Sequence, residues 1–165
     1  MRKLVFFYDY ICPYCKKGYG YLNDVIAGHD DIEIEWRPVE SHPRPEELHP
    51  HTDLCIEAYY SADASGAATT GFHDKLFETV CVERQNVEEV DVLVSALEGI
   101  VPADTLRADL DSGKYKKNVG ENNILAFEKS GVWAVPAFRM DGERLDAVEG
   151  IGVTPEQVAE FLAAK

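Results

Sequence analysis

A chain of 165 residues with 45% hydrophobic and 28% charged content has the size and composition of one globular domain with a proper core. Its 30 acidic against 16 basic residues give a net charge of −14, a surface that repels phosphate backbones and anionic lipid and so argues against nucleic acid and membranes as partners. No apolar stretch approaches the roughly 20 residues that cross a bilayer, and Asp9 cuts the apolar run that follows Arg2 and Lys3, so no signal peptide and a cytoplasmic location are expected.

Residues 2–8, centred on Leu4-Val5-Phe6-Phe7-Tyr8, read as a buried strand. Cys12-Pro13-Tyr14-Cys15 follows at once. Pro13 suits the first helical position, where its missing N–H is not needed. Cys12 then falls at the helix N-cap, its sulfur facing unsatisfied N–H groups and the positive end of the dipole. Such sites lower a thiol pKa from near 8.5, where only about 3% is thiolate at pH 7, to roughly 3.5–7. A strand feeding a reactive dithiol at a helix start reads as thiol–disulfide exchange chemistry. Structural zinc is the bland reading, but it needs four ligands and no second cysteine pair supplies them. Lys16 and Lys17 are expected to face solvent. Asp9 is open to two readings, a turn cap or a proton acceptor, and the turn is preferred.

A helical pattern covers 13–28, weakened by Gly18 and Gly20 at about 1 kcal/mol each unless close packing requires them. Residues 31–37 alternate as a second strand, which makes a parallel, right-handed βαβ unit. The 38–51 stretch, with Pro38, Pro43, Pro45 and Pro50, is a loop. His42, His49 and His51 crowd it, yet no carboxylate–histidine spacing on a helix supports a metal site, and none is expected. From 52 to 130 there is no convincing strand. Helices are expected over 52–64, 72–84, 88–99, 103–111 and 114–130, with Tyr59, Tyr60, Phe72 and Phe77 in their core rather than in a groove. Cys55 and Cys81 fall on these helices as small apolar residues; whether they pair is left open. Strands return at 135–140 and 144–148 around the Asp141-Gly142 turn, and Thr154-Pro155 opens a last helix to about Ala163.

The order predicts an α/β protein with a central mixed sheet, βαβ then ββα, carrying an inserted all-helical subdomain. The sheet domain spans 1–51 and 131–165. The insertion spans 52–130, its last helix (about 114–130) packing back on the sheet domain.

Four stretches resemble a known family: 7–15 around the dithiol, Leu110-Asp111-Ser112-Gly113-Lys114-Tyr115, Gly131-Val132-Trp133-Ala134-Val135-Pro136-Ala137-Phe138, and Val148-Glu149-Gly150. Together they are similar to the DsbA-like thiol–disulfide oxidoreductases, a thioredoxin-like fold with a helical insertion, in particular the FrnE-like branch. Glutaredoxins share Cys-Pro-Tyr-Cys but are much shorter. The resemblance implies a cis Val135–Pro136 bond beside the dithiol. It also implies Cys12 as the nucleophile that forms the mixed disulfide, Cys15 as the sulfur that resolves it, and Pro13, Tyr14, Val135 and Pro136 as substrate-binding residues. No cofactor is expected beyond the Cys12–Cys15 disulfide. The expected partners are protein or small thiols and disulfides, with glutathione an admissible exchange partner and a homodimer compatible with the chain. Two alternatives stand beside it. One is a glutathione-dependent transferase or isomerase on the same scaffold, although those enzymes usually carry Ser where Cys12 stands and lack the second Cys. The other is a non-catalytic binding or chaperone module.

Overall fold

Leu4-Val5-Phe6-Phe7-Tyr8 lacks alternation because both faces of its strand are covered. In the computed structural model, which describes residues 1–165, β1 (Arg2–Tyr8) is an inner strand of a four-stranded sheet, with Leu4, Phe6, Phe7 and Tyr8 buried. The α1 helix (Pro13–Ile26) connects β1 to β2 (Ile32–Pro38), which pairs parallel with β1 from Arg2↔Ile32 to Tyr8↔Pro38. On the other side β3 (Ala137–Met140) runs antiparallel to β1 and turns through Asp141-Gly142 into β4 (Glu143–Asp146). Both turn residues have positive φ, 53° and 82°, as the hairpin turn demands. The sheet order is β2-β1-β3-β4.

Between β2 and β3 every regular element is a helix. It forms α2 (Asp53–Ala64), α3 (Thr70–Phe77), α4 (Val90–Ala96), α5 (Ala103–Ser112) and α6 (Lys116–Asn123). Two helices end differently from expectation: α3 continues as a π-helical turn over Glu78–Val82, and α6 as another over Ile124–Lys129. Apolar spacing does not distinguish a widened turn from an ordinary one. The helix expected over 88–99 shrinks to 90–96, and the chain tightens into turns before Gly99, whose φ is 79°. A last helix, α7 (Pro155–Ala163), begins with a reciprocal cap: Gln157 N–H donates to Thr154 Oγ1, and Thr154 N–H to Gln157 Oε1.

The strand expected over 135–140 begins only at Ala137, since Pro136 has no N–H to give the ladder. The Val135–Pro136 bond is cis. Its partner, expected over 144–148, ends at Asp146.

Sheet and helices share one core. Leu4, Phe6 and Phe138 of the sheet belong to the same continuous apolar cluster as Leu76, Leu93, Leu97 and Leu106 of the helices. Phe72 and Phe77 are buried in it and Tyr59 nearly so, while Tyr60 packs at its edge with its hydroxyl on Asn122. The α6 helix reaches back to the sheet: Arg37 donates to Asn122 (3.0 Å), and Glu40 N–H donates to Asn123 (2.9 Å). His73 of α3 stacks on Trp36 of β2 at 4.4 Å and bonds the Tyr10 hydroxyl at 3.2 Å. Burial pushes its pKa down to about 3, so it is neutral at ordinary pH.

Candidate active site

Where β1 ends, the Cys12 N–H donates to the Asp9 carbonyl at 3.1 Å and closes a turn. Cys12 keeps an extended backbone, φ −84° and ψ 115°, and is the N-cap of α1, with Pro13 in the first turn. Its sulfur takes the place that a Ser or Asp oxygen usually fills: Sγ accepts from the Cys15 N–H at 3.3 Å. The Cys15 thiol donating to Cys12, helped by the N–H groups of Cys15 and Tyr14, holds the Cys12 thiol below its ordinary pKa; burial and the Asp9 charge pull the other way.

Cys15 is the opposite case. It is 0% exposed, its Sγ accepts from the Asp9 N–H at 3.4 Å, and burial, reinforced by Cys12, pushes its thiol well up. One helical turn therefore separates a partly open sulfur that favours the anion from a sealed one that favours the proton. All four cysteines are free thiols. Cys55 is buried, and the Cys81 thiol donates to the Tyr10 carbonyl at 3.0 Å; burial raises both, Cys81 to about 11.

Asp9 is 1% exposed and ties three segments together. Its carboxylate accepts from the Ile11 N–H (3.2 Å), the Thr52 hydroxyl (2.7 Å) and the Ser41 N–H (2.7 Å). Burial raises its pKa, and these donors resist the rise. The Ile11 contact is the expected turn cap, and the Ser41 and Thr52 contacts tie that turn to the loop after β2 and to the start of the helices. Lys16 and Lys17 are exposed and make no ion pair.

The loop before β3 closes the other side. The Val135 carbonyl lies 3.8 Å from Cys12 Sγ, a long sulfur contact, while the Val135 N–H makes no hydrogen bond within the chain. Behind it the Pro136 ring packs on α1 at Gly18, where an added Cβ would stand 3.0 Å from Pro136 Cγ. Gly18 is thus the close approach that its place in a helix demanded, whereas Gly20 faces open space. Tyr14 donates to the Gly150 carbonyl at 3.0 Å, and its ring lies against Gly152, whose φ is 83°.

A groove of about 620 Å³ opens beside Cys12. Pro13 and Tyr14, between the two cysteines, and the loop residue Val135 line it; Pro136, expected beside them, sits behind, against α1. The sequence reading missed the rest of its wall, which includes Phe127, Trp133, His42 and His49. Trp133, 91% exposed, lies inside a motif already singled out, but exposure leaves no mark in a motif. Phe127 reads as one more apolar residue of a helix.

A family model described as DSBA-like thioredoxin domain matches residues 3–163. The uncharacterized protein YwbO of Bacillus subtilis (strain 168) is 22% identical, the match covering 92% of this chain and 93% of that protein. The fold is similar to that of a probable DsbA oxidoreductase from Streptomyces coelicolor, with TM-score 0.85, 16% identity, and coverage of 99% of this chain and 89% of that one. Chlamydia trachomatis DsbA is also similar, with TM-score 0.75 and 13% identity over 98% and 85% of the two chains.

Proposed function

The chain belongs to the DSBA-like thioredoxin-domain family and is a thiol–disulfide oxidoreductase, and from that premise we propose that Cys12 exchanges with substrate and Cys15 resolves the mixed disulfide. What supports this reading is the asymmetry of the two sulfurs. Cys12 borders the groove with its anion stabilised, and Cys15 has no exposed surface.

With the pair oxidised, a substrate thiolate attacks Cys12 Sγ; a substrate–Cys12 bond forms, the Cys12–Cys15 bond breaks, and Cys15 leaves with the electron pair and takes a proton. A second substrate thiolate then attacks the substrate sulfur and expels the Cys12 thiolate. The substrate ends as a disulfide and the protein as a dithiol. Reduction of a substrate runs the same steps backward. A low-pKa thiol is the better leaving group, so the substrate leaves most readily when Cys12 is the sulfur expelled. Whatever stabilises the Cys12 thiolate also stabilises the reduced protein and favours oxidation of the substrate.

Substrate chain runs past Pro13 and Tyr14 and against Val135, whose unpaired N–H offers a donor to an extended backbone, while the buried Pro136 ring backs that loop against Gly18 rather than touching substrate. Peptide thiols and glutathione both carry such a backbone. No helix is long and apolar enough to cross a membrane.

The test is a pair of variants. Cys15→Ser is expected to accumulate a mixed disulfide on Cys12 with a cysteine peptide, located by mass spectrometry of the digest. Cys12→Ser is expected to lose essentially all exchange. Capture of the peptide on Cys81, or exchange that survives Cys12→Ser, would overturn the assignment.

A further inference from the structure

We propose that His42, Glu46 and His49 form a binding site for a divalent transition-metal cation, of which zinc is the type, at the wall of the groove that Cys12 borders. One ligand atom from each of the three lies within 4.8 Å of the others. The imidazoles of His42 and His49 stack at 3.7 Å between centroids, 14° from parallel, and Glu46 Oε1 lies 2.9 Å from His49 Nδ1. Two imidazoles and a carboxylate are the donors zinc takes, at about 2.0–2.2 Å each. Three protein ligands leave a fourth position of the tetrahedron free, and here His42 and His49 both line the groove that Cys12 borders.

The loop holds these side chains in advance. Pro43, Pro45 and Pro50 restrict its backbone. Arg44 bonds Asp53 at 2.6 Å and Glu88 at 3.1 Å. His51 spans from Glu88 (2.9 Å) to the Glu46 carbonyl (2.6 Å). With both ring nitrogens engaged, His51 is an anchor for Glu46 and not a ligand. Such partners around a metal site orient its ligands. Binding needs one change, a turn of the stacked rings so that their lone pairs converge. That torsion is broad, and the His49 side chain is 48% exposed.

The expectation that no metal site exists here rested on the absence of helical carboxylate–histidine spacing. That criterion does not apply to a Pro-rich loop, which folds residues 42, 46 and 49 together without a helix. The site rests on its own geometry and stands or falls apart from the redox assignment.

The test uses the full-length chain with Cys12→Ser and Cys15→Ser, so that the dithiol cannot bind metal. Calorimetric titration with zinc chloride is expected to give one ion per chain. Cobalt(II) is expected to give visible ligand-field bands without a thiolate charge-transfer band. His42→Ala and His49→Ala are each expected to weaken zinc at least about tenfold, and His29→Ala to leave it unchanged. Absence of binding, binding unchanged by both His42→Ala and His49→Ala, or a thiolate band from Cys55 or Cys81 would each overturn the proposal.

Discussion

Asp9 is the residue on which the dithiol turn depends, although it transfers nothing to substrate in the steps above. Its carboxylate closes the turn and also places a negative charge near Cys12, opposing the thiolate that the N-cap favours. Asp9→Asn keeps one acceptor oxygen but presents an NH₂ group to donors that need acceptors. It is expected to cost about 1–3 kcal/mol of stability, the range for a buried polar group left unsatisfied, measured by urea unfolding. The same substitution removes the opposing charge, so the Cys12 thiol is expected to titrate at lower pH, followed by ultraviolet thiolate absorbance. A carboxylate that is merely structural would not move that titration. Burial raises Asp9, so the folded chain holds this proton more tightly than the unfolded chain does. Its contribution to stability is therefore lost as pH rises from the ordinary carboxylate range through the raised value. This is opposite in sign to a carboxylate held by a salt bridge.

At the scale of elements, two glycines with very different surroundings make a paired experiment on α1. Ala in place of Gly gains about 1 kcal/mol of helix propensity. Gly20→Ala, with nothing within 4 Å of the new methyl, is expected to show that gain as a higher urea midpoint. At Gly18 the methyl meets the Pro136 ring at 3.0 Å, and a ring tied to the backbone cannot swing aside. Gly18→Ala is therefore expected to lower both the midpoint and the exchange rate, as α1 and the loop before β3 are forced apart. The elements that carry the dithiol were legible because local rules specify them. The run at 4–8, Pro13 after Cys12, the Asp141-Gly142 turn and Thr154 before Pro155 each act over a few residues. What escaped depends on distant partners. The π-helical turns after Phe77 and Asn123 keep an apolar spacing compatible with ordinary helix. Pro136 reads equally well as a strand start until Gly18 is seen beneath it. The meeting of His42, Glu46 and His49 belongs to the path of a loop, which no period encodes.

At the scale of the whole molecule, the helices between β2 and β3 are an insertion in sequence but not in packing. Leu93, Leu97 and Leu106 lie in one cluster with Leu4 and Phe138, so neither part buries its apolar surface without the other. Helical circular dichroism and the fluorescence of Trp36, packed between Phe6 and His73, are expected to report one coincident urea transition. Two separated transitions would mean that sheet and helices fold as independent bodies. The chain has two tryptophans in different settings: Trp36 is partly buried, packed against Phe6 and His73, and Trp133 stands almost bare at the lip of the groove. An incoming chain that settles there must shed water from that second indole, blue-shifting the red edge of the emission. The protein thus carries an intrinsic optical reporter of occupancy, one that needs no dye and leaves both sulfurs untouched.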